Sequence, residues 1–231
     1  MRVCFATALL ALALCIPAPS SSSFEGRPII DNAFNPTGYT LHEGEFTVGI
    51  GPVAFGVAEN VQIGTNLLLW IIQVYNVDAK VSLLKDDDGA VAVGLSAYRL
   101  SLDFDGESDE ANFTALAPYI AGSKRIARDT MVHGGGQFAY FSAEGDEDIE
   151  DADASAIATG SNLFAGIEHS YSDRTKFLAD VGYDTTFDGA RIGGAVLFGW
   201  TTFRLKLGVS YYTAGDGFTL PIIGLQWRFR A

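Results

Sequence analysis

The sequence predicts an all-β fold: a transmembrane, antiparallel, up-and-down β-barrel of about ten strands, with eight or twelve also compatible. Three observations predict it. Segment after segment alternates apolar and polar side chains with period two; turn-forming or acidic clusters separate the segments; and the polar faces carry charges of both signs while aromatics gather near segment ends.

The elements follow in chain order. Residues 1–22 have the layout of a secretory signal, with Arg2, an uncharged apolar run from Val3 to Ile16, then small and proline residues. The run is too short to span a bilayer as a helix. Both cysteines, Cys4 and Cys15, lie inside it, so the exported chain is expected to have no disulfide or thiolate chemistry. Residues 23–42 form a polar lead-in that either plugs the barrel or hangs in the periplasm, and residues 43–231 form the barrel. The full chain carries 15 Lys+Arg against 28 Asp+Glu, a net charge of −13. Loss of Arg2 leaves 14 basic residues against the same 28 acidic ones, or −14. Nucleic acid is excluded as a partner, because phosphate binding needs a basic face.

Within the barrel, the clearest strand is 203–211, with Phe203, Leu205, Leu207, Val209 and Tyr211 on one face and Arg204, Lys206, Gly208 and Ser210 on the other. Segments 175–187, 190–200 and 77–83 repeat the pattern. In the last of these, Val77, Ala79, Val81 and Leu83 oppose Asp78, Lys80 and Ser82. Turn residues tolerant of tight backbone fall between segments, as in Lys85-Asp86-Asp87-Asp88-Gly89 and Ala214-Gly215-Asp216-Gly217. The stretch 60–77 holds the apolar run Leu67–Ile72, too short for a spanning helix, and reads as a lipid-facing strand with a bend near Asn66. The aromatics assigned to interfacial girdles are Tyr98, Tyr140, Phe141, Tyr171, Phe187, Trp200, Phe203, Tyr211, Tyr212, Trp227 and Phe229. A soluble exported sandwich is the alternative fold. It would put the apolar faces inward, whereas a barrel puts them on lipid and the charges in the lumen.

The last segment, Ile223-Gly224-Leu225-Gln226-Trp227-Arg228-Phe229-Arg230-Ala231, alternates and closes on an aromatic. It resembles the terminal strand of Gram-negative outer-membrane β-barrel proteins, departing from that class in placing Phe229 before the final two residues. The resemblance implies an outer-membrane address, a lipid and lipopolysaccharide environment, and insertion by the barrel-assembly machinery. Counting strands back from an inward-running last strand puts connections near 103–110, 145–154, 185–189 and 213–217 outside. Those near 85–89, 127–130, 172–174 and 201–202 fall inside, so both long loops are outside, as this class requires.

The outside loop 144–153 concentrates carboxylates, and Asp146, Asp148, Asp151 and Asp153 are weak candidates for divalent-cation binding. The loop lacks the spacing of a preformed calcium site. The lumen set is Asp78, Lys80, Arg99, Glu168, Lys176, Asp180, Asp184, Arg191, Arg204, Lys206 and Arg228, with Gln226 and Arg230 on the last strand. Opposite charges across a narrow lumen pair, because unpaired confined charge is costly. Of the histidines, His169 adjoins Glu168 and Ser170, but neighbours on a strand point to opposite faces, so His169 reads as an interfacial residue. His133 precedes Gly134-Gly135-Gly136, which reads as a bend or bulge. No catalytic residue, cofactor or firm metal site is assigned. The function expected is a narrow porin-like channel or a structural envelope barrel. Surface recognition through the acidic loops is the alternative, and a rim lipid hydrolase is further removed.

Overall fold

A computed structural model describes residues 28–50, 52–103, 110–144, 156–185 and 188–230. The chain forms β1 (Glu45–Gly49), β2 (Pro52–Ala58), β3 (Val61–Asn66), α1 (Leu67–Ile71), β4 (Val74–Lys85), β5 (Gly89–Asp103) and β6 (Glu110–Ala127). It continues with β7 (Thr130–Glu144), β8 (Ala156–Ser172), β9 (Thr175–Asp184), β10 (Gly189–Gly199), β11 (Phe203–Tyr212) and β12 (Phe218–Arg230). Each strand pairs with its sequence neighbours, and β1 closes on β12 to give a closed barrel of twelve strands. Closure removes the free sheet edges that would otherwise need covering. The region 43–76, hardest to divide from sequence, contains β1, β2, β3 and the start of β4.

Antiparallel order sorts the connections into two ends. Short turns at Asp86–Asp88, Arg128–Asp129, Asp173–Arg174 and Trp200–Thr202 share one end with the start of β1 and the finish of β12. The finishes of β5, β7, β9 and β11 and the connection 213–217 share the other. In the first turn the Asp86 carboxylate accepts N–H bonds from Asp88 at 2.8 Å and Gly89 at 2.7 Å, which explains the acidic-glycine sequence there. Gly215 (φ 60°) and Gly217 (φ 73°) take left-handed backbone in the last connection.

Alternation puts apolar side chains outside. On β4, Val77 is 54% exposed whereas Lys80 is 1% exposed. Two aromatic tiers bound this apolar exterior. Near the short turns, Trp200 lies 5.4 Å from Phe203, Phe203 lies 5.2 Å from Trp227, and Tyr171 meets Phe177 edge-on at 5.9 Å. Toward the other end, Trp70 meets Tyr75 at 5.8 Å, and Tyr140, Tyr183 and Tyr211 are exposed. This inside-out distribution makes the protein a transmembrane barrel.

Several sequence expectations need correction. Tyr98, Phe141 and Tyr212 share parity with lumen residues and face inward, so they are not girdle residues. Arg99 is not lumenal: on β5 the inward set is Ala90, Ala92, Gly94, Ser96 and Tyr98, so strand parity turns Arg99 outward, where it is exposed beside Tyr75. The run Leu67–Ile71 is helical rather than a bent strand. The Asn66 side chain caps it by accepting from Leu68 N at 3.1 Å, and Gln73 (φ 64°) reverses the chain into β4. A strand there would send alternate apolar residues into the lumen; the helix leaves Leu68, Trp70 and Ile71 exposed on its outer surface. Gly134-Gly135-Gly136 is neither bend nor bulge, since all three pair regularly with Ala121 and its neighbours on β6 and with β8. Gly135 is glycine because a Cβ would meet the Phe164 ring at 2.7 Å.

Candidate functional site: a hairpin seated in the lumen

Residues 28–41 lie inside the barrel. The segment Asp31-Asn32-Ala33-Phe34-Asn35-Pro36-Thr37 is rich in turn-forming residues and folds as a small hairpin. Asn32 N donates to Asn35 O at 2.8 Å, Thr37 N to Ile30 O at 3.0 Å, and the Thr37 hydroxyl to Ile29 O at 2.6 Å. Its apolar residues then complete small cores against the lumen wall. Ile29 and Ala33 pack with Leu178, Ala195, Leu197 and Ile222. Ile30 and Leu41 pack with Ala54, and Tyr39 packs with Ala90 and Met131.

The wall's charged residues bind the hairpin's backbone. Lys80 Nζ donates to Ile30 O at 2.9 Å and lies 4.0 Å from the Asp31 carboxylate. Lys206 Nζ donates to Asn32 O. Asp180 Oδ2 accepts from Phe34 N and Asn35 Nδ2, each at 3.0 Å. Arg191 donates to the Asn35 side chain and stacks over the Phe34 ring, 4.8 Å from its centroid. Lower down, Gly38 N donates to Ser123 Oγ at 2.9 Å, Gly38 O accepts from Ser82 Oγ at 2.8 Å, and Leu41 N donates to Gln62 Oε1 at 3.0 Å. Gly38 must be glycine, because a Cβ would run into the carbonyl of Ala90. Burial pushes the Tyr39 phenol up to about 12, against the opposing influence of Arg125.

Two buried charge clusters fasten the wall itself. Glu168 bonds Lys176 and lies 3.4 Å from His133 Nε2, while His133 Nδ1 meets Ser123 Oγ at 2.8 Å. Glu45 bonds Arg228 across the β1–β12 seam and also accepts from His42 N at 2.9 Å. The Ser123–His133–Glu168 constellation has the residue types of a hydrolytic triad. Ser123 Oγ, however, already accepts the hairpin's Gly38 N–H, and all three side chains are buried beneath the hairpin. The arrangement transmits hairpin contact into the ion cluster. Sequence reading did not find it, since Ser123, His133 and Glu168 come from three strands and only register aligns them. His169 faces outward, with Nδ1 3.0 Å from the Thr130 hydroxyl.

Of the lumen residues chosen from sequence, Asp78, Lys80, Glu168, Lys176, Asp180, Asp184, Arg191, Arg204, Lys206 and Arg228 face inward, and Arg99 does not. Asp78 accepts from Ser96 at 2.8 Å. Asp146, Asp148, Asp151 and Asp153 and the signal segment 1–22 lie outside the described residues. Among the described residues, no three His, Asp or Glu side chains converge to hold a metal ion. Beyond the hairpin tip, Asp78, Tyr98, Tyr119, Gln137 and Asn162 line a polar vestibule of ≈ 270 Å³.

These features define a class: a transmembrane β-barrel with a lumen-seated N-terminal hairpin. No protein-family model matches the sequence, and no curated protein matches it in sequence. Solved structures similar to it include Ail, the attachment invasion locus protein of Yersinia pestis, at 14% identity and a TM-score of 0.34 over 81% of this chain and 99% of that one. The translocator domain of the autotransporter NalP from Neisseria meningitidis matches at 12% identity and 0.46, over 81% and 86% of the two chains. The KdgM porin matches at 10% and 0.36, over 79% and 95%.

Proposed function

We propose that the protein is an outer-membrane barrel closed by its own N-terminal hairpin: a structural envelope barrel with an outward-facing vestibule rather than a standing porin. The observation that carries this reading is that Lys80, Asp180, Arg191 and Lys206, from four different strands, all hold the hairpin. In this orientation the short turns face the periplasm and the vestibule opens outward. A solute reaching the vestibule meets the Asp78–Tyr119 pair, at 3.2 Å, and then the hairpin tip. Outer-membrane lipid and lipopolysaccharide surround the barrel in this reading, and the work of the protein involves no catalysis. The test is single-channel recording of the refolded full chain in a planar bilayer, with insertion verified by heat-shifted gel mobility. Silence is expected. Steady conductance from the intact chain would overturn the plug and restore the porin reading.

A further inference from the structure

The barrel wall is uneven. β1 reaches only Gln226 on β12, and the next backbone bond, Ile50 N to Leu225 O at 2.9 Å, is the last on that side among the described residues. Above it, Phe218–Gly224 is laddered to β11 alone among the described residues. On the far side of this notch, β3 stops at Asn66 and the chain turns into α1. The notch lies between Trp227 in one aromatic tier and Tyr211 in the other, so it opens onto the hydrocarbon layer. Unpaired backbone facing lipid is costly and persists where it lines a cavity.

A cavity of ≈ 390 Å³ occupies the notch, within the range of small-molecule sites. Its mouth is apolar, formed by Ile50, Leu68 and Ile223, while its depth carries Lys206 and Arg204. The one carboxylate there, Asp31, is shared with Lys80. An ammonium has three donors, so Lys206 keeps capacity beyond its bond to Asn32 O. The adjoining lumen wall is apolar as well: inward-facing Phe218 and Leu220 are 48% and 43% exposed, and Phe218 stacks on Tyr212 at 4.9 Å. Apolar side chains facing a polar lumen are stabilised only when something apolar covers them.

We infer that this notch is a lateral port and binding site for a single-chain anionic amphiphile of the long-chain carboxylate class, with its head at Lys206 and Arg204 and its chain leaving between Leu68 and Ile223 toward the bilayer. The port lies where the wall meets the hairpin, whose Ile30 and Phe34 line it; it rests on the hairpin being seated but not on whether the hairpin blocks ions.

The experiment uses the refolded full chain in lipid nanodiscs with a long-chain carboxylate bearing a photoreactive diazirine, and maps the adducts by peptide mass spectrometry. Adducts are expected on Phe34, Leu68, Ile222 and Ile223, which line the cavity, competed by unlabelled carboxylate and poorly by its methyl ester. Lys206→Gln should weaken labelling about tenfold or more, the effect of losing a charge-assisted bond. Ile223→Trp narrows the mouth without touching the cations and should abolish the competed adducts on Phe34 and Ile222 even if Lys206→Gln disturbs the hairpin. Adducts spread over outward residues such as Ile120 and Leu163, without competition, would overturn the site. Equal competition by the ester, or equal labelling by a photoreactive two-chain phospholipid, would overturn the ligand class.

Discussion

Replacing Asp180 with alanine probes the hairpin most directly. One oxygen of this carboxylate accepts from Phe34 N and Asn35 Nδ2, each at 3.0 Å, and Asp180 is 2% exposed. A hydrogen bond to a charged group contributes about 1.5–3 kcal/mol, so two give about 3–6 kcal/mol as an upper bound. Removing a buried carboxylate also relieves its desolvation, because its second oxygen has no hydrogen-bond partner among the described residues. The net loss of hairpin binding is then about 2–4 kcal/mol, a shift of about 30- to 1000-fold in the released population. The barrel itself should persist, since the ladders from β9 to β8 and β10 are backbone bonds. In planar bilayers, Asp180→Ala should convert a silent insertion into intermittent channel openings. Hydrogen exchange at residues 28–41 should accelerate by the same factor. A variant with normal heat-shifted mobility, no openings and unchanged exchange would refute the claim that this carboxylate holds the hairpin.

Two further outcomes follow from the geometry. Glu45→Ala leaves Arg228 without its carboxylate at the β1–β12 seam, where both side chains are buried. A loss on the order of 3 kcal/mol is expected, seen as a lower temperature for the folded-to-unfolded gel shift; an unchanged temperature would show that the seam does not depend on this pair. Tyr39, with its phenol raised to about 12 in the folded chain, contributes stability that is fully present below its ordinary value near 10 and is lost as pH rises through 12. Channel openings in the wild type should therefore appear between pH 10 and 12. Tyr39→Phe should remove that onset, and an onset at the same pH in the variant would assign it to another group.

Strands were legible because their signal is local. Period two shows in Phe203–Tyr211 and Val77–Leu83 without knowledge of partners, and the faces fall as read. Charge alone suggests a lumenal face for Arg99, whereas parity with Ser96 and Tyr98 turns it outward. Parity overrides aromatic character in the same way at Tyr98, Phe141 and Tyr212. The hairpin was not legible because its bonds join Asn35 to Asp180 and Asn32 to Lys206, separations that leave no periodic trace. One signal did exist. The lumen face of β5 runs Ala90, Ala92, Gly94 and Ser96, side chains too small to fill the interior of a barrel this wide.

That small-residue face alters the expected role of the lumen charges. The sequence suggests cations and carboxylates pairing across the barrel; Glu168–Lys176 and Glu45–Arg228 pair instead between adjacent strands. Lys80, Lys206 and Arg191 instead reach polar oxygens of the hairpin, at Ile30, Asn32 and Asn35. Such bonds differ from fixed salt bridges in what happens on release. Water entering a twelve-stranded lumen can solvate these cations and Asp180, so departure of the hairpin exchanges protein bonds for water bonds, each at a net cost of only about 0.5–3 kcal/mol. A wall-to-wall ion pair has no comparable exit, because the backbone ladder keeps its two side chains buried side by side. The division of labour is then physical: wall–wall pairs near the short-turn end brace neighbouring strands already joined by backbone bonds, and wall–hairpin bonds above them make a closure that can be lost without losing the fold.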